Sequence, residues 1–285
     1  EYIESRKLFN KAGAHPNGSA YGPYRLGWEY WASIIFNRMG LTDVLGSEIG
    51  DVPLLWIYDR LPTGMIMKDG DVYDWGTNRY FTYSVNPYLA YLFGGNEYDN
   101  PYVRGEWIKE NSLNNYATEP IWSLLFVQPD KEWSYPDDLP LAYATTYPLT
   151  SLTARTSWQN GLSSPAAIVK MKAYERNLED HMHKDVGSFQ IYYKGSLALD
   201  SGNYAVGYGT AHDYNYAKRT VAHNLVTVYD PEESTWLGGD YANDGGQINR
   251  TTVVVSTYEE MMSDENQRAE TKGVYIGPNE YTPEF

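Results

Sequence analysis

Residues 188–200, SFQIYYKGSLALD, decide the fold class. Apolar and polar residues come close to alternating along both arms, the period of a half-buried strand, and Lys194–Gly195 between them is a tight-turn pair. The segment therefore predicts an antiparallel hairpin. Upstream, AAIVKMKAY at 166–174 alternates in part. Downstream, HNLVTVY at 223–229 and TTVVVSTY at 251–258 predict further strands, with a polar loop over 238–250. Towards the N-terminus the period changes. LGWEYWASIIFNRM at 26–39 sets Leu26, Tyr30, Ile34 and Ile35 at helical spacing, and Gly40 fits the residue after a helix end. Weaker helical patterns lie at 86–95, 103–113 and 119–127, and the turn-rich run PDKEWSYPDDLP at 129–140 separates the two regimes. The expectation is an α+β chain. A helical portion over 1–135, whose helix–loop–helix spacing suits an α/α bundle or toroid, precedes an antiparallel, sandwich-like β-sheet domain over 136–285.

Composition narrows the function. The chain has 285 residues, room for one large domain or two ordinary ones. Its 28 Tyr and 9 Trp against 7 Phe favour rings with an apolar face and a polar edge, which suits sugar binding; a Tyr-rich surface is the blander reading. A net charge of −15 argues against nucleic acid, and it also weighs against a heavily sulfated polyanion unless the cleft is locally positive. With no Cys there is neither a disulfide framework nor a Cys-ligated metal. No apolar run reaches membrane-spanning length and no signal peptide is visible. The start at Glu1, inside helix-like sequence, predicts a piece of a longer protein.

Chemistry concentrates in one stretch. Four of the five His, His181, His183, His212 and His223, fall within 181–223, together with Asp185 and Asp200. In an extended segment His181 and His183 share a face. Asp200 ends the second hairpin arm and His223 starts a predicted strand, so two His and an Asp from neighbouring strand ends can hold zinc or a similar ion. Two His and a carboxylate also describe non-haem iron and cupin sites, although Gly187 after Asp185 points to a turn rather than a continuing strand. Strand-end His bonded to backbone is the bland alternative. The fifth, His15, reads as a loop residue; Trp28, Trp31 and Trp158 read as core, and Lys218 and Arg219 as residues flanking a strand.

The stretches HMHKDVGSFQIYYKGSLALDSGNY and HDYNYAKRTVAHNLVTVYDP resemble the β-sheet region of heparinase II/III-type polysaccharide lyases, nearest their heparinase II branch. GSAYGPYRLGWEYW at 18–31 is similar to that family's entry into a toroid helix, and LTARTSW at 152–158 to the start of its β domain. The resemblance implies an (α/α) toroid with further helices upstream. It makes His183, Asp200 and His223 the ligands of one divalent metal, zinc foremost. A structural role is expected, pinning the strand ends that carry His181 and Tyr204, while three protein ligands leave an open position for a Lewis-acid role. The resemblance makes His181 the substrate-facing histidine and Tyr21 the catalytic tyrosine, with Arg25 four residues on. Tyr204, Tyr208, His212 and Asp180 would meet substrate; Asp180 stands where the family often has Asn. The groups that neutralise the substrate carboxylate would lie upstream of Glu1.

The implied activity is that of a carbon–oxygen lyase cutting a uronate-containing acidic polysaccharide by β-elimination. That reaction needs a neutraliser for the carboxylate, a base for the C5 proton and an acid for the leaving oxygen. Tyr, ordinarily titrating near about 10, can serve as base and acid if a cation favours its phenolate. Arg25 is the candidate cation, and His181 is the second base. Heparin or heparan sulfate follows from the nearest branch; the acidic charge favours chondroitin, hyaluronan or alginate. A non-catalytic, metal-stabilised carbohydrate-binding module is the rival of another class. The expected setting is secreted or periplasmic in a bacterium, without membrane insertion, and compatible with a homodimer.

Overall fold

The computed structural model describes residues 2–72, 85–114, 120–177, 181–232, 243–247 and 255–277. Asp180, residues 251–254 and much of the 238–250 loop lie outside them. Helices come first: α1 (Tyr2–Ala12), α2 (Gly18–Arg38), α3 (Val52–Tyr58), α4 (Val85–Asn96), α5 (Pro101–Asn114) and α6 (Pro120–Phe126). Strands follow: β1 (Ala142–Ala144), β2 (Ser151–Arg155), β3 (Ala167–Lys172), β4 (Ser188–Tyr193) and β5 (Ser196–Ala198), then the short α7 (Tyr258–Met262). The chain is thus α+β. The five strands form one antiparallel sheet in sequential order. The expected change of regime at 135/136 falls in the connection between α6 and β1.

Helix α2 organises the helical part. Leu26, Tyr30 and Ile34 are buried against Phe93, Ile49 and Trp56, and the Tyr30 hydroxyl donates to the Ile49 carbonyl at 2.7 Å. Ile35, expected on the same face, is 55% exposed: the core-facing stripe is narrower than the hydrophobic run. The helix closes as predicted. Gly40 takes φ +84°, its N–H reaches the Asn37 carbonyl and the Leu41 N–H the Phe36 carbonyl, the two bonds of a Schellman ending.

The helix begins eight residues earlier than the periodicity suggests. It runs from Gly18 through Gly22 and Pro23, residues that in isolation favour a turn. Tertiary contacts decide. A Cβ on Gly22 would stand 2.9 Å from the Trp56 ring, and the Ser19 N–H, an orphan of the first turn, donates to the Asp69 carbonyl at 2.9 Å. Tyr21 and Arg25 therefore lie one turn apart on a rigid helix.

The sheet presents polar groups inward. Thr153, Lys170 and Lys172 are buried, whereas Met171, Phe189, Ile191 and Tyr193 on the opposite face are exposed. The inward lysines meet carboxylates. Lys170 bonds Asp59 at 2.6 Å and Asp69 at 3.1 Å; Lys172 bonds Asp69 at 2.6 Å and Asp185 at 2.8 Å. The Tyr174 hydroxyl adds a donor to Asp69 at 3.0 Å. This chain of charges ties the end of α3, the segment around Asp69, the sheet and the His-bearing loop into one body.

Two expectations for the second half change. The β4–β5 hairpin turns at Lys194–Gly195 as predicted, with Lys194 at φ +56°. Residues 223–229, however, form no strand. Val226, Val228 and Tyr229 are exposed, and the segment's ladder-like bond runs from the Val228 N–H to the Gly245 carbonyl at 2.8 Å. β-branched residues favour extended backbone, but pairing needs a partner edge. Within 251–258, the part described enters a helix: Thr257 caps α7 and exchanges bonds with Glu260 in a capping box. Among the described residues the β part is thus a single sheet rather than a sandwich. No helix of the described residues is long and apolar enough to cross a membrane.

Candidate active site and metal centre

Residues Met67–Val72 run between the start of α2 and the sheet and carry the centre of the site. Gly70 adopts φ +64°, and a Cβ there would come within 2.7 Å of the His181 carbonyl. The left-handed turn, open to glycine, lets the Asp71 N–H reach that carbonyl at 3.2 Å. The Val72 carbonyl takes the Tyr204 N–H at 2.9 Å. One short segment thereby places Asp71 beneath the His181–His183 loop and beside Tyr204.

Asp71 was not among the sequence candidates, and it makes the densest contacts of the site. Its Oδ2 accepts from His181 Nδ1 at 2.7 Å and its Oδ1 from His183 Nε2 at 2.9 Å; Lys218 Nζ lies 3.3 Å from Oδ2. Burial opposes its charge, but the two histidine hydrogen bonds and Lys218 outweigh burial and hold the carboxyl well below the usual range. The signal in the sequence, Asp69-Gly70-Asp71, reads as a turn and carries no ligand spacing.

Tyr21, Arg25 and His181 come together from opposite halves of the chain. The Tyr21 and His181 rings stack with centroids 4.2 Å apart and planes 9° from parallel. Arg25 Nη2 stands 2.9 Å from His181 Nε2. A guanidinium can only donate, so Nε2 accepts, and the ring carries its proton on Nδ1, facing Asp71. Tyr208, 45% exposed, tilts over His181 at 5.6 Å, and Lys218 Nζ sits 4.5 Å above the Tyr208 ring.

The other predicted contacts are placed differently. Tyr204 is 1% exposed and packs edge-on behind Tyr208. Burial and its hydrogen bond to Asp71 push its phenol well above the ordinary value, so it stays protonated. His212 starts a π-helical turn and lies against Tyr216 at 5.3 Å. His15 is buried between Glu29, 3.3 Å from Nε2, and the Asn17 N–H. Lys218 and Arg219 flank no strand: Lys218 faces Asp71 and Asp213, and Arg219 pairs with Asp244 at 2.6 Å. Trp158 is core, and Trp31 packs edge-on against Phe93, Trp122 and Phe126. Trp28, expected in the core, is 58% exposed on α2.

His183, Asp200 and His223 form the second half of the site. One potential ligand atom from each lies within 4.8 Å of the others. They come from irregular segments rather than strand ends: His183 precedes β4, Asp200 follows β5, and His223 follows a 3₁₀ turn. Backbone bonds hold these segments together, Lys184 N–H to the Lys218 carbonyl at 3.0 Å and Ser201 N–H to the Ala222 carbonyl at 3.1 Å. Gly202 leaves room at the cluster, since a Cβ would come within 2.9 Å of both Asp200 Oδ1 and the His223 ring.

The donor set fits a metal ion. His183 uses Nε2 on Asp71, and its Nδ1 is buried without a partner; His223 uses Nδ1 on Asp200 at 2.9 Å, and its Nε2 is likewise buried without one. Two orphaned imidazole nitrogens beside a carboxylate are what a divalent ion would satisfy. Burial works against charging His223, yet Asp200 outweighs it and raises its pKa. Asp185, two residues after the histidine pair, belongs instead to Lys172, and Gly187 makes the predicted turn at φ +86°. A cupin-like ligand strand is therefore absent from this segment.

No curated protein matches the chain. Residues 166–273 match the family described as heparinase II/III-like, C-terminal. That range holds His181, His183, Asp200 and His223; Tyr21, Arg25 and Asp71 lie outside it. Over residues 166–273 the chain is similar to the C-terminal region of the heparinase II/III-like family.

Proposed function

We propose that the chain is the catalytic part of a polysaccharide lyase that cleaves a uronate-containing polymer by β-elimination. The observation that carries this reading is the Tyr21–His181 stack with Arg25 on the same imidazole, set beside the His183, Asp200 and His223 group. The family's association with polysaccharide lyases supports the reaction class. In this reading the helical part belongs to an (α/α) toroid, the exposed apolar face of the sheet is the one a second β layer would cover, and the protein acts outside the bacterial cytoplasm.

The chemistry assigns the parts as follows. Tyr21 takes the C5 proton of the uronate as its phenolate and returns a proton to the C4 oxygen as that bond breaks. Arg25 turns from His181 towards the substrate carboxylate, which stabilises the charge that develops as C5 loses its proton. The Nε2 lone pair of His181 is then open to act as base for uronates of the opposite C5 configuration, while Asp71 keeps the Nδ1 proton in place. Tyr208 offers a ring face to a sugar. Arg25 and Lys218 bring cations to the cleft, and Asp71 and Asp213 offset the charge of Lys218, which leaves a weak local field within an acidic protein. A modest local field favours sparsely sulfated polymers such as hyaluronan, chondroitin or alginate over heparin.

A divalent ion, zinc by the donor set, would be held by His183, Asp200 and His223 and would pin the loops that carry the histidines. Zinc added to chelator-stripped protein is expected to raise its melting temperature. An ion at 100 times its Kd contributes about 2.7 kcal/mol if the unfolded chain does not bind it, and His183→Ala should abolish the shift. An unchanged melting temperature would remove the structural role.

The reading is tested by incubating the chain with a panel of uronate polymers and following the ultraviolet absorbance of a C4–C5 double bond conjugated to the carboxyl. Growth of that band on at least one polymer supports the lyase. Saturable binding to a polymer with no growth of the band would instead support the non-catalytic carbohydrate-binding module.

A further inference from the structure

We propose that Asp71 is a positioning residue shared by the two halves of the site, fixing His181 with one oxygen and His183 with the other. The ion cradle and the substrate-facing histidine are then coupled through a single carboxylate. The inference rests on the lyase reading only for the role of His181; the coupling itself stands on geometry.

Donors and acceptors fix the two tautomers. Arg25 donates to His181 Nε2, so the ring must carry its proton on Nδ1, and Asp71 Oδ2 receives it at 2.7 Å. His183 must present a bare Nδ1 towards Asp200 and His223, so its proton sits on Nε2, and Asp71 Oδ1 receives it at 2.9 Å. Both rings need an acceptor, and a carboxylate is the small group that supplies two at once. It is buried, and its own position is set by the Gly70 turn and the bond from the Asp71 N–H to the His181 carbonyl. Residues beyond the first contact commonly orient ligating histidines in this way, and their loss weakens metal affinity or activity by about 10–100-fold.

Asn at position 71 keeps the shape but offers one oxygen and one NH₂. The NH₂ cannot accept a ring N–H, so one histidine must switch tautomer or turn away. If His181 switches, its Nε2–H faces the donors of Arg25. If His183 switches, the lone pair facing the ion is lost.

The test uses the full chain with ¹⁵N-labelled histidine, tractable with only five His. In the unmutated protein, His181 is expected as the Nδ1–H form and His183 as the Nε2–H form, each proton in a strong hydrogen bond. Addition of zinc, which His183 would hold, should also shift the His181 Nδ1–H resonance. For Asp71→Asn we expect zinc affinity, measured by chelator competition, to fall about 10–100-fold, or kcat to fall by a similar factor with KM nearly constant. An Nε2–H tautomer for His181 in the unmutated protein overturns the proposal even if the variant fails to fold. So does an Asp71→Asn protein with unchanged zinc affinity, unchanged kcat and the same two tautomers. If no uronate polymer is cleaved, the lyase reading fails, while the tautomer and zinc measurements still decide the role of Asp71.

Discussion

Tyr21→Phe is expected to lower kcat for elimination by about 10²–10⁴-fold, the usual contribution of a positioned acid–base group, with KM little changed. The substitution removes one oxygen. The ring remains on α2, stacked on His181 at the same 4.2 Å spacing, so the cleft keeps its shape. Stability should change by no more than about 1 kcal/mol, the net worth of a lost hydrogen bond. His181→Ala differs in kind, because it also removes the stacking partner of Tyr21, the acceptor of Arg25 and a donor to Asp71. Initial rates and melting curves on both variants separate chemistry from folding. Equal rates in Tyr21→Phe and the unmutated protein would take the phenol out of the reaction.

The largest expected effect on stability is that of Lys172→Met. Lys172 is buried and neutralises Asp69 and Asp185 at 2.6 and 2.8 Å, with its ammonium 4.6 Å from the Tyr174 ring centroid. Met fills a similar volume but leaves two buried carboxylates short of a cation. Breaking a buried ion pair on one side costs about 3–5 kcal/mol, which for a chain of this size is a fall in melting temperature of roughly 10 °C. Asp185→Asn added to Lys172→Met should recover part of the loss, since the two positions share one interaction. A shift of a degree or less in the single variant would show that the network contributes little.

Asp69 makes the same network sensitive to acid. Burial would raise the Asp69 pKa, but Lys170 and Lys172 more than reverse it and hold the carboxyl far below its ordinary value. A depressed carboxylate contributes stability that is present above its unfolded pKa and lost as the pH falls towards the folded one. Unfolding monitored by circular dichroism should therefore show stability falling as the pH drops below about 4. Asp185 lies two residues from His183, so loosening the network should disturb the His-bearing loop early in that transition.

Local signals made the hairpin, the body of α2 and the His183, Asp200 and His223 group legible. Alternation, a Lys-Gly turn and a cluster of histidines need no knowledge of the rest of the chain. Long-range contacts decide the rest. Gly22 and Pro23 look like a turn until Trp56 is seen pressing on the glycine. HNLVTVY has strand character without a partner edge among the described residues. The capping box from Thr257 to Glu260 is masked in the sequence by the β-branched run TTVVVSTY that leads into it. Asp71 sits 110 residues from His181 and gains its meaning only when the Gly70 turn brings them together. The inward lysines of β3 spoil a clean alternation, and their carboxylate partners are equally remote in sequence.

The central claim is that this site breaks the C4–O bond by elimination, and the structure of the product ends tests it most directly. Mass and NMR analysis of the fragments released from a uronate polymer should show a C4=C5 unsaturated uronate at the new non-reducing end, formed by the unmutated chain and at trace rates by Tyr21→Phe. Saturated ends, one water heavier, would mean hydrolysis and would contradict the account, as would unsaturated ends formed equally fast without the Tyr21 hydroxyl.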